Sequence, residues 1–195
     1  MPNNRTFILL ASLTCLLLTA GGIGLWLAAP ESSTPTPKVV PRIARLLLEL
    51  KDGRLCPKAG GGPFTGIMYE KTTAGRLLSE IPLNEGIVHG IARGWHENGQ
   101  LEVEEPFENG HSHGLRTRYH PNGKKRSQAT IVKGSLEGPF TEWHENGQLA
   151  VRMNMADGKG EGLCEAWHLN GKPKSKVNLK NGEPIQTEYF TGTAQ

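Results

Sequence analysis

The sequence predicts an all-β protein: an elongated, open antiparallel β-meander of 24-residue hairpin repeats, preceded by one N-terminal apolar helix. Three observations lead there. Glycine recurs every 24 residues in three columns: Gly66, Gly90, Gly114, Gly138 and Gly162; Gly75, Gly99, Gly123, Gly147 and Gly171; and Gly86, Gly110, Gly134, Gly158 and Gly182. A long fixed period held without an insertion marks an array of identical supersecondary units. Within each period, two runs of alternating apolar and polar residues flank a tight-turn signal, the pattern of a β-hairpin. The first 29 residues share none of this.

Phe7 to Leu27 is an uncharged, mostly apolar run of 21 residues. At ~1.5 Å per residue it is long enough to cross a ~30 Å hydrocarbon core. Arg5 and the chain's amino group precede it, and the first charge beyond it is Glu31. This asymmetry places the N-terminus in the cytoplasm and the remainder outside. Residues 1–29 therefore read as a signal anchor in the inner or plasma membrane, single-pass, with the repeats outside the cytoplasm. The alternatives are a secreted or periplasmic protein after signal cleavage, for which Leu27 and Pro30 around a cut after Ala29 are poor, and lipid attachment at Cys15, for which Ser12-Leu13-Thr14 is a poor signal. All three export the repeats. Residues 30–42, rich in Pro, Ser and Thr, read as an extended stalk. Residues 43–65 read as a degenerate capping hairpin around Glu49–Leu55, residues 66–190 as the array, and 191–195 as a frayed tail.

The unit containing Trp95 shows how one repeat is built. Ile91, Arg93 and Trp95 alternate with Ala92, Gly94 and His96; after Glu97-Asn98-Gly99, Leu101, Val103, Glu105 and Phe107 alternate with Glu102, Glu104 and Pro106. A two-residue Asn-Gly turn would set Trp95 beside Glu102. A three-residue loop, Glu97 to Gly99, pairs His96 with Gln100 and Trp95 with Leu101, and directly opposed residues share a face. Such loops end in a left-handed residue, the natural place for Gly99. The turn glycines are thus Gly75, Gly99, Gly123, Gly147 and Gly171. This register predicts one apolar face, carrying Trp95, Tyr119, Trp143 and Trp167 with Leu101, Leu149, Phe107, Ile131 and Met155, and one polar face. The first unit is worn: Lys71 occupies the tryptophan position.

The recurring Gly-x-x-x-x-Trp-His-x-Asn-Gly-x-Leu, followed by an apolar-x-Asn-Gly or apolar-x-Asp-Gly close, resembles the MORN repeat variant. Its best copies are Trp95-His96-Glu97-Asn98-Gly99-Gln100-Leu101 and Trp143-His144-Glu145-Asn146-Gly147-Gln148-Leu149, and the resemblance runs from about Gly66 to Gly182. It implies an open β-sheet that binds partners and is not catalytic. Bacterial proteins with these repeats are often labelled YwqK-family antitoxins, which implies neutralisation of a toxin by covering it.

A net charge of +3, with acids and bases interspersed, lacks the basic footprint of a nucleic-acid-binding protein. Charge is nonetheless uneven: Glu97, Glu102, Glu104, Glu105 and Glu108 fall in one repeat, and Arg116, Arg118, Lys124, Lys125 and Arg126 in the next. Two readings stand, pairing between neighbouring repeats or a docking surface. Cys56 and Cys164 lie near opposite ends of the array, too far apart for an internal disulfide. His96, His120, His144 and His168 form a column, but neighbours one repeat apart lie ~9.6 Å from each other by strand spacing. Ligands of one zinc sit ~2.0–2.1 Å from it, so no two of them share an ion. His111 and His113 fall in a solvated loop. With no metal, cofactor, nucleophile–base pair or phosphate-cradling loop expected, the reading is not an enzyme. It is a non-enzymatic, membrane-anchored scaffold or binding module whose face is Trp95, Tyr119, Trp143, Trp167, Leu101 and Leu149. The partner is an unknown protein (a toxin or an envelope protein), with no nucleic acid; the alternatives are an antitoxin or immunity role and self-association into an envelope structure.

Overall fold

A computed structural model describes residues 39–190. The apolar segment, most of the Pro-rich stalk and the tail lie outside the described residues. Among the described residues no helix is long and apolar enough to cross a membrane.

The described residues form sixteen strands. The first part holds β1 (Arg42–Ala44), a single 3-10 turn (Arg45–Leu47), β2 (Leu48–Lys51), β3 (Arg54–Pro57), β4 (Gly66–Lys71) and β5 (Leu77–Asn84). There follow β6 (Ile87–Val88), β7 (Gly90–Trp95), β8 (Leu101–Glu108), β9 (His111–Ser112), β10 (Gly114–Tyr119) and β11 (Lys125–Val132). The last part holds β12 (Ser135–Trp143), β13 (Leu149–Ala156), β14 (Lys159–Trp167), β15 (Pro173–Lys180) and β16 (Glu183–Tyr189). Fourteen of them make one sheet in the order β1-β4-β5-β7-β8-β10-β11-β12-β13-β14-β15-β16, with β6 on β5 and β9 on β8; β2 and β3 form a separate pair.

Two kinds of turn build each repeat. At the Asn-Gly hairpins the three-residue loop is present: His96 N–H donates to the Gln100 carbonyl at 2.9 Å and Gly99 N–H to the His96 carbonyl at 2.9 Å. Gly99 and Gly147 have φ of 84° and 91°, the left-handed region that only glycine enters freely. The second kind is a two-residue turn with both residues at positive φ, as at Asn109-Gly110 (49° and 84°) and Asp157-Gly158 (50° and 77°). Such turns match the twist of the flanking strands. His111, expected in a loop, instead opens the short strand β9, because this turn sets Glu108 opposite His111.

The cap departs from the expected meander. Leu48–Pro57 does form a hairpin, but it is no further rung of the ladder. β1 instead closes the sheet edge and runs parallel to β4, with Arg42 opposite Ile67. The separate hairpin then lies against the first repeat: Leu48, Met68 and Leu83 form the buried cluster, with Ile43, Leu55, Phe64, Ile81 and Val88 packed on it. Leu55 approaches so closely that a Cβ on Gly86 would lie 2.8 Å from its backbone nitrogen. A residue other than glycine there would push the cap away.

Candidate binding face

The hairpin register places the predicted site residues as follows. Trp95 lies opposite Leu101 and Trp143 opposite Leu149. Tyr119 lies opposite Lys125 and Trp167 opposite Pro173, so the aromatic column continues through all four repeats while its leucine partners do not. All six predicted face residues are half-buried.

The expected division into one apolar and one polar face needs correcting. Next to each Asn-Gly hairpin the register shifts by one residue: Trp95 opposes Leu101, but Gly94 opposes Val103. Glu102 is the extra residue of a β-bulge. A one-residue slip exchanges faces. Val103, Glu105 and Phe107 therefore lie with Gly90, Ala92 and Gly94, whereas Trp95 stays with Ile91, Arg93 and Glu104. Apolar residues occupy both faces. The Phe107 face holds Ala129 and Ile131, 3% and 2% exposed. The tryptophan face mixes aromatic rings with charge: the Arg152 guanidinium sits 5.7 Å from the Trp167 ring centre and the Lys125 ammonium 6.0 Å from that of Trp143. Burial, with Glu104 beside it, raises the Tyr119 hydroxyl above its ordinary range. Arg152 Nη2, 2.6 Å away, holds Glu165 below its own, helped by Lys176.

The histidine column has a structural task. His96, His120 and His144 each donate from Nε2 to the main-chain carbonyl of the aromatic residue one repeat on, Tyr119, Trp143 and Trp167, at 2.8–3.0 Å. Asn98, Asn122 and Asn146 donate from Nδ2 to the carbonyls two residues further on, those of Pro121, Glu145 and Leu169, at 2.6–2.8 Å. The opposite edge is tied by the two-residue turns, where Gly110, Gly134, Gly158 and Gly182 donate to carbonyls of the preceding repeat at 2.8–3.0 Å. Cys56 and Cys164 are free thiols.

Among the concavities of the described residues, one follows a local break in the repeat pattern. Between the fourth and fifth repeats, a groove of about 460 Å³ is lined by Trp143 and Trp167 together with Glu142, Val151 and Ala166, which the register places on the side opposite the tryptophans, and by Ala150, Leu169 and Lys174. Ala150, 8% exposed, lies where other repeats carry Glu102, Arg126 and Lys174. Leu169, 60% exposed, lies where they carry Glu97, Pro121 and Glu145. Neither residue stands out within its own repeat; aligning the four copies by column reveals both.

These features define a single-layer β-hairpin repeat, with its two edges tied repeat to repeat and both faces open to variation. A family model described as the MORN repeat variant matches four consecutive stretches, residues 88–109, 112–133, 136–157 and 160–181. Residues 88–181 are thus four consecutive repeats of the MORN repeat variant. Each match ends at the first residue of a two-residue turn. The hairpin of β4 and β5 repeats the same register and bulge one period earlier, with Lys71 opposite Leu77, outside the matched stretches. No curated protein matches this chain.

Proposed function

We propose that this chain is a non-enzymatic binding module, held at the membrane by its N-terminal apolar segment with the repeats exported, which captures a protein partner through the grooved side of its sheet beside Trp143 and Trp167. The observation that carries this reading is the groove at Trp143 and Trp167. Here the repeat pattern is broken toward concavity, with the small Ala150 and the exposed Leu169 among the lining. Aromatic anchors flanked by charge are the usual composition of an interface centre. Among the described residues no second layer covers this part of the sheet, which leaves the surface available. Antitoxin-type neutralisation uses the same face, and differs only in what is captured and on which side of the membrane.

The test is crosslinked capture from the membrane by the full chain. Trp143→Ala and Leu169→Ala should each weaken capture of the same partner by ~2 kcal/mol, roughly thirtyfold. Lys133→Ala, at a turn on the other edge, should leave it unchanged. Equal loss in all three variants, or none in the first two, would remove the groove from consideration.

A further inference from the structure

We propose that the cap at the start of the array is a second contact with the membrane: the exposed apolar side chains of residues 39–50 enter the headgroup layer of an anionic bilayer. The inference rests on the reading above that the apolar segment holds the chain at the membrane. It concerns residues outside the four matched repeats.

Apolar surface is left uncovered most densely at the cap. Val39, Val40, Leu46, Leu47 and Leu50 are all exposed. The seven other exposed large apolar side chains among the described residues are scattered over residues 91–189. A loose cap is not the cause. From the run Leu46-Leu47-Leu48 the chain turns Leu48 inward, 2% exposed, onto Met68 and Leu83. Main-chain bonds then fix the cap: Lys58 N–H donates to the Leu47 carbonyl at 2.9 Å, and Leu55 N–H to the Gly86 carbonyl at 3.0 Å. With Leu48 committed to the core, Leu46 and Leu47 are held outward, and Leu50 is 70% exposed on the strand that follows. Apolar side chains gathered on an ordered surface mark an interaction site.

Charge narrows the partner. Residues 39–62 carry Arg42, Arg45, Lys51, Arg54 and Lys58 against Glu49 and Asp52, a net +3, which is the net charge of the whole chain. The remainder therefore balances. Arg42, Lys51 and Arg54 are taken by Glu80, Glu49 and Glu85. Arg45 and Lys58 are exposed and make no ion pair among the described residues. Both adjoin the leucines, Arg45 by sequence and Lys58 through its bond to Leu47. Lys71 joins them from the tryptophan position of the worn first unit. With Arg45, Leu46, Tyr69 and Glu70 it lines a concavity of about 320 Å³. Exposed leucines bordered by unpaired bases fit an anionic bilayer, where burial of apolar surface and attraction to lipid charge act together.

The tether selects lipid over an acidic protein. Eleven residues, 28–38, separate Leu27 at the end of the apolar run from Val39. At ~3.3–3.6 Å per residue this linker reaches at most ~40 Å, on whichever side of the membrane the repeats lie. The bilayer surface is thus offered to the cap at high effective concentration, and a weak contact suffices. The opposite end of the array differs. β16 also exposes Ile185 and Tyr189, but it carries Glu183 and Glu188 and no base.

The experiment uses the full chain in its native membrane, with a photo-activatable phenylalanine in place of Leu46 or Leu50 and, as references, of Leu115 or Ile185. All four positions are exposed, so the probe displaces no packing. Membranes are washed with carbonate and illuminated, and adducts are identified by mass. Positions 46 and 50 should capture lipid, and positions 115 and 185 none above background. In reconstituted vesicles, capture at position 50 should be stronger with phosphatidylglycerol present than with phosphatidylcholine alone. Arg45→Ala with Lys58→Ala should lower it roughly fivefold or more, since one basic residue near such a surface contributes about that factor. A chain that washes off the membrane would overturn the anchored reading and this proposal with it. A chain that resists the wash but captures no lipid at 46 and 50, captures as much at 115 and 185, or captures a protein instead would overturn the proposal alone. Capture that ignores lipid charge and both bases would do the same.

Discussion

Replacing Gly147 by valine isolates the backbone requirement of the Asn-Gly hairpin from packing. Gly147 has φ of 91°, and its N–H closes the turn onto the His144 carbonyl at 2.8 Å. A Cβ at this position would find Lys124 Cδ at 3.5 Å, an ordinary contact with a movable side chain, so space is available. The cost is therefore conformational. A left-handed L-residue costs ~1–2 kcal/mol, and a β-branched one lies at or above the upper end of that range. With about 2 kcal/mol lost, and roughly 2–4 °C per kcal/mol for a unit of this size, the melting temperature should fall by about 4–8 °C. Gly147→Asn should lose less, because asparagine tolerates this region. Gly62→Val, at a glycine without positive φ and with nothing within 4 Å of its Cβ, should not move the transition. Melts followed by circular dichroism on the full chain decide it. If Gly147→Val melts with wild type, or if Val and Asn lose equally, the dihedral argument is refuted.

Two further outcomes follow from the ion pairs and from the apolar segment. Glu165 is held below its ordinary range by Arg152 and Lys176, so its contribution to stability is full above about pH 4.5 and is lost as pH falls through its lowered value. Glu165→Gln should flatten the acid side of the melting-temperature profile. The effect should be small because Arg152 is 61% exposed, and an unchanged acid limb would show that the pair contributes nothing. Protease added to intact spheroplasts should digest the exported repeats; protection until lysis would place them in the cytoplasm and favour the antitoxin reading.

The repeat was legible because its evidence is periodic. Glycine at Gly99 and its copies, the Asn before it and the alternation on either side are local facts, and local facts determine a hairpin loop. The face assignment was not legible, because it depends on a single extra residue. Nothing in the composition of Leu101-Glu102-Val103 announces that Glu102 will be bulged, yet that residue sends Val103 and Phe107 to the side opposite Trp95. The parallel strand β1 was equally out of reach. It is three residues long, and its partner Ile67 lies 25 positions away, so only tertiary packing selects the pairing. The histidines fall between these cases. Strand spacing excludes a shared ion, but the real partners are main-chain carbonyls, which carry no sequence signature.

Those carbonyls also explain how a sheet with one layer leaves its faces free. An ordinary domain holds its sheet by covering it, which commits the side chains of that face to packing. Here much of the inter-repeat attachment runs along the two edges, through His and Asn side chains on one and turn glycine N–H groups on the other. Each repeat needs only its neighbours, as in other quasi-one-dimensional arrays. Face residues such as Ala150, Leu169 and the opposed charges of the second and third repeats can then differ from copy to copy without loss of the fold. Variation of that kind in an otherwise uniform array is what the proposed binding role draws on. A covered sheet could not carry it: a change such as Glu102 to Ala150 would there leave a cavity instead of a groove.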